Sequence, residues 1–328
     1  MTLTKLAKLA NVAVSTVSKA FSMHPDINEE TRKAIFDLAK QHGCFKKYYN
    51  ANCPKLVIAI ICPDITACSS NIKSIQARLA EYNCESCVTA TNFSIERELE
   101  LIEYYENYVK ADGIVLVSPR CTPPQDIETP LALLDPYDES LAIESDFIIA
   151  NRNIDLAYEE AINHFARHGI SDIAFIGDKL SISKHSLYKR FMTKKFGFVD
   201  EKKISISEHT SPLGGYQAMS ALLDSGYVPR AVISAYFEFT IGAANAITNR
   251  GLKIPDDIAI ISFNNLDIMN YISPGFSGVD CFNDESCAAL VDSLINKIHG
   301  QAYQKKLLYN SSVIYRKSSD IQRTKDSE

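Results

Sequence analysis

Leu3-Thr4-Lys5-Leu6-Ala7-Lys8-Leu9-Ala10-Asn11-Val12-Ala13-Val14-Ser15-Thr16-Val17-Ser18-Lys19-Ala20-Phe21 is the stretch whose periodicity decides how the chain begins. Leu3, Leu6, Ala7 and Ala10 follow the i, i+3, i+4, i+7 spacing of one helix face. Asn11, one of the few non-glycine residue types that tolerate a left-handed backbone, comes next. Val14, Val17, Ser18 and Phe21 resume the helical spacing, which predicts two short helices joined by a tight turn, a helix-turn-helix. A third helix is predicted after Asn28 as N-cap, with Glu29 and Glu30 where negative charge suits the helix dipole. Its apolar positions Ile35, Leu38 and Ala39 face inward, and Gly43 stops it. These residues alone describe a small three-helix bundle. Ser15, Thr16, Ser18 and Lys19 on the outer face of the second helix add short hydroxyls and a cation suited to phosphates and base edges.

Charge sets this segment apart from the rest. Residues 1–55 carry nine basic and four acidic side chains, a net of +5. The remainder carries 25 basic and 36 acidic, a net of −11, so the total of −6 hides a basic head on an acidic body. That asymmetry is expected of a nucleic-acid-binding module. With 328 residues and 46% hydrophobic content, the chain can bury a substantial core and holds two or three domains. The apolar run near residues 56–62 is far too short to span a bilayer, and Met1-Thr2-Leu3-Thr4-Lys5 opens no secretory h-region. The expected location is the cytoplasm, where the nine scattered cysteines stay reduced. Cys84-Glu85-Ser86-Cys87 has CxxC spacing but no second ligand pair, so two ordinary thiols at a strand start are expected.

The stretch 3–21, together with Ile27-Asn28-Glu29-Glu30-Thr31-Arg32, resembles the headpiece of lac-repressor-family transcription regulators. The family pattern valine-serine-any-any-threonine-valine-serine-arginine stands here as Val12-Ala13-Val14-Ser15-Thr16-Val17-Ser18-Lys19. The resemblance implies that Val14, Ser15 and Lys19 read bases, and that Thr16 and Ser18 contact the backbone or pack at the groove. It extends the DNA-facing set to Thr4, Asn28, Lys46 and Lys47. Three positions depart from the pattern. Ala13 replaces a serine, which removes a side-chain cap worth about 1 kcal/mol. Lys19 replaces an arginine and with it a bidentate guanine contact. Asn11 replaces a glycine at the turn. After Gly43 the chain is shorter than the family pattern and lacks the arginine-any-leucine of a hinge helix. Lys46 and Lys47 remain available to phosphate. Tyr48 or Tyr49 either wedges into the minor groove or packs on the body.

Beyond the head, strand candidates (56–62, 87–91, 113–118, 131–134, 173–177, 231–235, 258–263) alternate with helix candidates (72–82, 95–109, 156–168, 213–225, 241–250). The alternation predicts α/β architecture with doubly wound parallel sheets and a ligand cleft at the strand C-termini. The body also resembles the periplasmic-binding-protein-like core of the same family, most clearly at 111–116, 168–177 and 254–265. The resemblance implies three crossings between two lobes, placed near Asn153, Val279 and Gln304, with helix 285–299 returning to the first lobe. The expected organisation is a helix-turn-helix domain at 1–48, a short hinge at 49–55, an effector-binding and dimerisation domain at 56–320 and a tail at 321–328. Within the body, 56–152 and 280–303 form the first lobe, and 153–279 and 304–320 the second.

The resemblance also leads to a cleft with unusual contents. Tyr236-Phe237 stand where the family has asparagine-aspartate, and Asn264-Asn265 where it has acidic residues. A cleft arginine is usual in the 183–190 region, where Arg190 is the only one. Candidate effector contacts are Asp64, Asp135, Arg190, Tyr236 and Asn264. The aromatics either stack on a sugar or base, or plug the cleft. No GxSxG, P-loop, HExxH or GxGxxG motif occurs, and His164 and His168 at i, i+4 have no third ligand in view. No cofactor, metal or catalytic residue is expected.

The leading expectation is a DNA-binding regulator, a repressor acting as a homodimer on a palindromic operator in double-stranded DNA, with a sugar-like effector. Two alternatives stand beside it: a regulator that has lost ligand sensing, and a small-molecule-binding protein built on the same body.

Overall fold

The computed structural model describes residues 2–42, 56–136, 146–280 and 284–321. Gly43, Lys46, Lys47, Tyr48, Tyr49 and the linker 49–55 lie outside the described residues, as does most of the tail. The chain divides into two compact units, Met1–Ile58 with Leu79–Cys87, and Ala59–Arg78 with Val88–Glu328.

The head consists of α1 (Leu3–Leu9), α2 (Val14–Phe21) and α3 (Glu29–Gln41). Asn11 turns the chain with φ 52°, and Val12 N–H donates to Ala7 O at 3.0 Å. The α2 N-cap, Ala13, makes no side-chain hydrogen bond, whereas Asn28 caps α3 by accepting Thr31 N–H at 2.8 Å. Leu6, Ala7, Val17, Ala20, Ile35, Phe36 and Ala39 close the core. The three predicted helices therefore form, and so does the predicted difference between their caps.

The body runs β1 (Val57–Cys62), α4 (Ser69–Glu81), β2 (Glu85–Ala90), α5 (Ile95–Glu103, continued by a π turn to Val109), β3 (Gly113–Val117), β4 (Leu131–Leu134) and β5 (Ile148–Asn153). It continues with α6 (Asp155–Arg167), β6 (Ile173–Asp178), α7 (Ile182–Phe196), β7 (Ile204–Ser207), α8 (Pro212–Asp224), β8 (Ala231–Ser234), α9 (Phe237–Thr248) and β9 (Ala259–Ser262). The final elements are β10 (Ser277–Asp280), α10 (Asp284–Ile298), β11 (Lys306–Asn310) and β12 (Ser312–Ile314).

Two six-stranded sheets result, in the orders β11-β5-β4-β3-β1-β2 and β12-β10-β9-β8-β6-β7. Pairing is parallel from β11 through β5 and β4 to β3 and from β10 through β9, β8 and β6 to β7, and β12 runs antiparallel to β10 at the edge of the second sheet. In the second sheet, side chains alternate between faces as the period-2 pleat requires. Phe175, Ile233 and Ile261 join α6 and α7 on one side, and Ile176, Val232 and Ile260 join α8 and α9 on the other. Helices α8 and α9 touch through glycines. A Cβ on Gly242 would lie 1.9 Å from Pro212 O, so only glycine permits the approach.

The chain leaves the first sheet at Asn153, the end of β5, and the second at Asp280, the end of β10. The third crossing does not fall near Gln304. β11 pairs with β5 from Lys306↔Ile149 to Asn310↔Asn153, so the chain stays in the first lobe until Ser311 and 304–310 belong there. Ser311 N–H donates to Asn153 O at 3.0 Å, which ties this crossing to the first. Among the described residues no helix is long and apolar enough to cross a membrane.

Candidate functional site

Two sites emerge, one on the head and one at the strand ends of the body. On the head, Val17 and Ala20 turn inward, so the opposite face of α2 is left to solvent. Val14 is 43% exposed, Ser15, Ser18 and Lys19 are exposed beside it, and Thr16 is half-buried. Val14 with Ser18 and Ser15 with Lys19 are i, i+4 pairs, so they form one outward patch. Thr4 on α1 and Asn28 at the start of α3 are also exposed, although the Asn28 side-chain oxygen already caps its helix. Lys19 is not free. Its Nζ donates to Asp26 Oδ2 at 2.8 Å, and this bond holds the Asp26 carboxyl below the ordinary range. Asp26 carried no signal in the helical pattern, because it sits in the turn between the helices.

At the body, Asp64, Asp135, Tyr236 and Asn264 all follow strand C-termini, those of β1, β4, β8 and β9. Asp64 Oδ1 accepts Ala67 N–H at 2.8 Å, which shapes the turn into α4. Asp135 takes a left-handed φ of 57° and pairs with Arg152 at 2.8 Å. Asn264 folds its carboxamide back onto Asn265 N–H at 2.9 Å.

Tyr236 is the centre of the second-lobe part. Its hydroxyl reaches Asp178 Oδ1 at 3.4 Å, and Lys184 Nζ lies 4.1 Å over its ring. Lys184 is only 8% exposed and donates to Ala235 O at 2.6 Å and Phe263 O at 3.3 Å, the carbonyls at the ends of β8 and β9. Burial pushes the Tyr236 phenol well above its ordinary value, helped by the Asp178 charge, while Arg120 and Arg152 pull it the other way. Burial also raises the Asp178 carboxyl. Asp178 Oδ1 accepts Leu180 N–H at 3.0 Å, and its buried Oδ2 has no partner. Phe237 instead packs into the core beside α8 and α9.

Arg190 does not join this group. It lies on the exposed side of α7, paired with Asp155 and 4.7 Å over the Phe191 ring. The cation that α7 sends to the strand ends is Lys184, and sequence reasoning missed it by searching the segment for arginine. One signal was available: Lys184 lies four residues before Tyr188, which is fully buried, so both share the inward face of α7. His164 and His168 point to backbone carbonyls, Ser319 O at 2.9 Å and His164 O at 2.8 Å. Cys84 is buried and Cys87 exposed at the start of β2, both as free thiols.

A family profile described as a periplasmic binding protein-like domain matches residues 162–319. The chain is 28% identical over 315 residues to the probable HTH-type transcriptional repressor ExuR of Bacillus subtilis, covering 85% of this chain and 86% of that protein. Among solved structures, the lac repressor dimer bound to operator and the anti-inducer ONPF superposes with a TM-score of 0.75 at 18% identity. It covers 97% of this chain and 99% of that one. A transcriptional regulator CelR–cellobiose complex superposes with a TM-score of 0.67 at 19% identity over 97% of this chain and 99% of that one. At such identities the structures speak for the fold. The class is a helix-turn-helix head joined to a two-lobe periplasmic-binding-protein-like body. Within that class, the resemblance to transcription regulators read from the headpiece is matched by a curated HTH-type repressor over 85% of the chain.

Proposed function

We propose that the chain is a sequence-specific DNA-binding transcriptional repressor that acts as a homodimer on a palindromic operator. The observation that carries this reading is the outward patch of α2, where Val14, Ser15, Ser18 and Lys19 stand exposed on a basic head. A major groove accepts such a helix, and short side chains let it approach the base edges. Thr4 and Asn28 are exposed and Thr16 half-buried on the same head, and Lys46 and Lys47, outside the described residues, would add phosphate contacts. One head covers few base pairs, so two on a palindrome supply the specificity. The body works as a ligand-binding and dimerisation unit rather than as an enzyme, and the expected compartment is the cytoplasm. Selection of bound sequences from a random DNA pool tests the reading. The expected result is a palindrome bound with salt-dependent affinity. A pool that stays random after selection overturns it.

We further propose that Asp135, Tyr236 and Asn264, with Lys184, Arg152 and Asp178, face a small sugar-like effector, and that Asp64 shapes the same rim. The unpartnered Asp178 Oδ2 supports this, because a ligand hydroxyl would satisfy it. Thermal unfolding in the presence of sugars and sugar acids checks it. A ligand at about 100 times its Kd raises stability by about 2.7 kcal/mol. A panel with no shift favours the second reading, a regulator without ligand sensing, in which Tyr236 on Lys184 already fills the site.

A further inference from the structure

The Lys19–Asp26 pair has a consequence for base reading. Asp26 lies in the turn between α2 and α3, and its N–H donates to His24 Nδ1 at 3.3 Å. That nitrogen is also 3.3 Å from Asp26 Oδ2, so the imidazole lies against the carboxylate. Arg32 reaches back from α3 and donates through Nη2 to both His24 O and Ile27 O at 2.9 Å. The turn is thus clamped from inside the head, and the Asp26 carboxylate stands on a fixed base.

An exposed pair of this kind, 47% and 58% accessible on its two sides, adds little to stability. A carboxylate beside a DNA-facing helix also opposes the phosphate backbone. Stability and overall affinity therefore give no reason for an acidic side chain here, but readout does. A lysine ammonium sits on a flexible four-carbon stem and lacks the planar fork that lets arginine address a guanine in one geometry. The bond to Asp26 uses one of its three N–H donors and leaves two for a base edge or phosphate.

We infer that Asp26 is a specificity-determining residue. It holds the Lys19 ammonium in one position for a base edge and subtracts one charge from the non-specific attraction to DNA. The inference rests on the proposed DNA-reading role of the head.

The test uses the whole chain, its selected sequence and a random duplex, titrated across salt concentrations. Asp26→Asn is expected to bind random DNA about fivefold tighter and to reduce the selected-to-random ratio about tenfold. Its salt slope steepens by about 0.9, the value for one added phosphate contact. Asp26→Glu keeps the charge and is expected to retain most of the ratio. In a Lys19→Ala background, Asp26→Asn is expected to leave the ratio unchanged, because the ammonium it positions is gone. A merely structural role for Asp26 would lower binding equally in both backgrounds, and that result overturns the inference. So does an unaltered ratio and slope for Asp26→Asn in a chain that otherwise discriminates. If the unmodified chain shows no preference for any sequence, the DNA-reading role itself fails and takes the inference with it.

Discussion

Lys19 and Lys184 carry the same side chain into opposite surroundings. Lys19 is half-exposed on a helix of eight residues and meets one carboxylate. Lys184 is buried at the end of a parallel sheet, where it meets two backbone carbonyls and an aromatic face. Water screens the first pair, so its value lies in direction rather than energy. The second cation is far from water, and the carbonyls and ring must replace its hydration. The resemblance led to an arginine in both places. On the head, a lysine has no planar fork for bidentate contact. At the strand ends, Lys184 reaches the carbonyls that close β8 and β9.

The contrast can be broken at either end. Lys184→Ala leaves the Ala235 and Phe263 carbonyls without this donor, so stability should fall by about 2–6 kcal/mol, at about 1–3 kcal/mol per buried unsatisfied group. Urea unfolding followed by circular dichroism measures it, and a loss well below 1 kcal/mol would make the two lysines equivalent. Lys19→Ala should leave the same unfolding midpoint in place while lowering affinity for the selected sequence about tenfold, as the loss of one base contact does. Equal weakening on random DNA would reduce Lys19 to a phosphate contact.

Caps sharpen the picture on the head side. Asn28→Ala removes the hydrogen bond to Thr31 N–H and should destabilise the head by about 1 kcal/mol, whereas Ala13→Ser should restore a cap to α2 and stabilise it by a similar amount. Hydrogen exchange at the head amides reads both changes. The smallest effect is expected at Asp172, on the body. Burial pushes its carboxyl up, but Lys203 at 2.5 Å and Tyr227 at 2.7 Å outweigh this and hold it below its ordinary value. A lowered carboxyl stabilises the fold above its unfolded pKa of about 3.9 and loses that contribution as pH falls through the folded value. Asp172→Asn should therefore be less stable than the unmodified chain at pH 7, with the gap closing as pH falls through the folded value. A gap that persists in acid would assign the effect to packing.

The second-sheet strands β6, β8 and β9 were legible because parallel strands buried on both faces read as continuous apolar runs. Strand β7 (Ile-Ser-Ile-Ser), β10 (Ser-Gly-Val-Asp) and β12 (Ser-Val-Ile) have no such run, and partners from elsewhere in the chain recruit them. Helix α7 escaped notice for another reason. Its exposed side carries Lys189, Arg190, Lys194 and Lys195, so no clean apolar stripe marks it. Missing α7 as a helix meant missing which of its cations turns inward. Helix α9 begins at Phe237, four residues before the predicted start, because Phe237 and Phe239 belong to its packing rather than to the strand end. On the head, the helix pattern found the patch but could not find Asp26, since a turn residue has no periodicity to betray it.

The bond between Ser311 N–H and Asn153 O joins two chain segments that are far apart in sequence. Each passes from one lobe to the other, and each is the continuation of a paired strand, β11 or β5. A rotation of one lobe against the other loads both segments at once, so the two passages behave as one strap of double width. Torque applied to the second lobe reaches β5 and β11 together and, through β4, the rest of the first sheet.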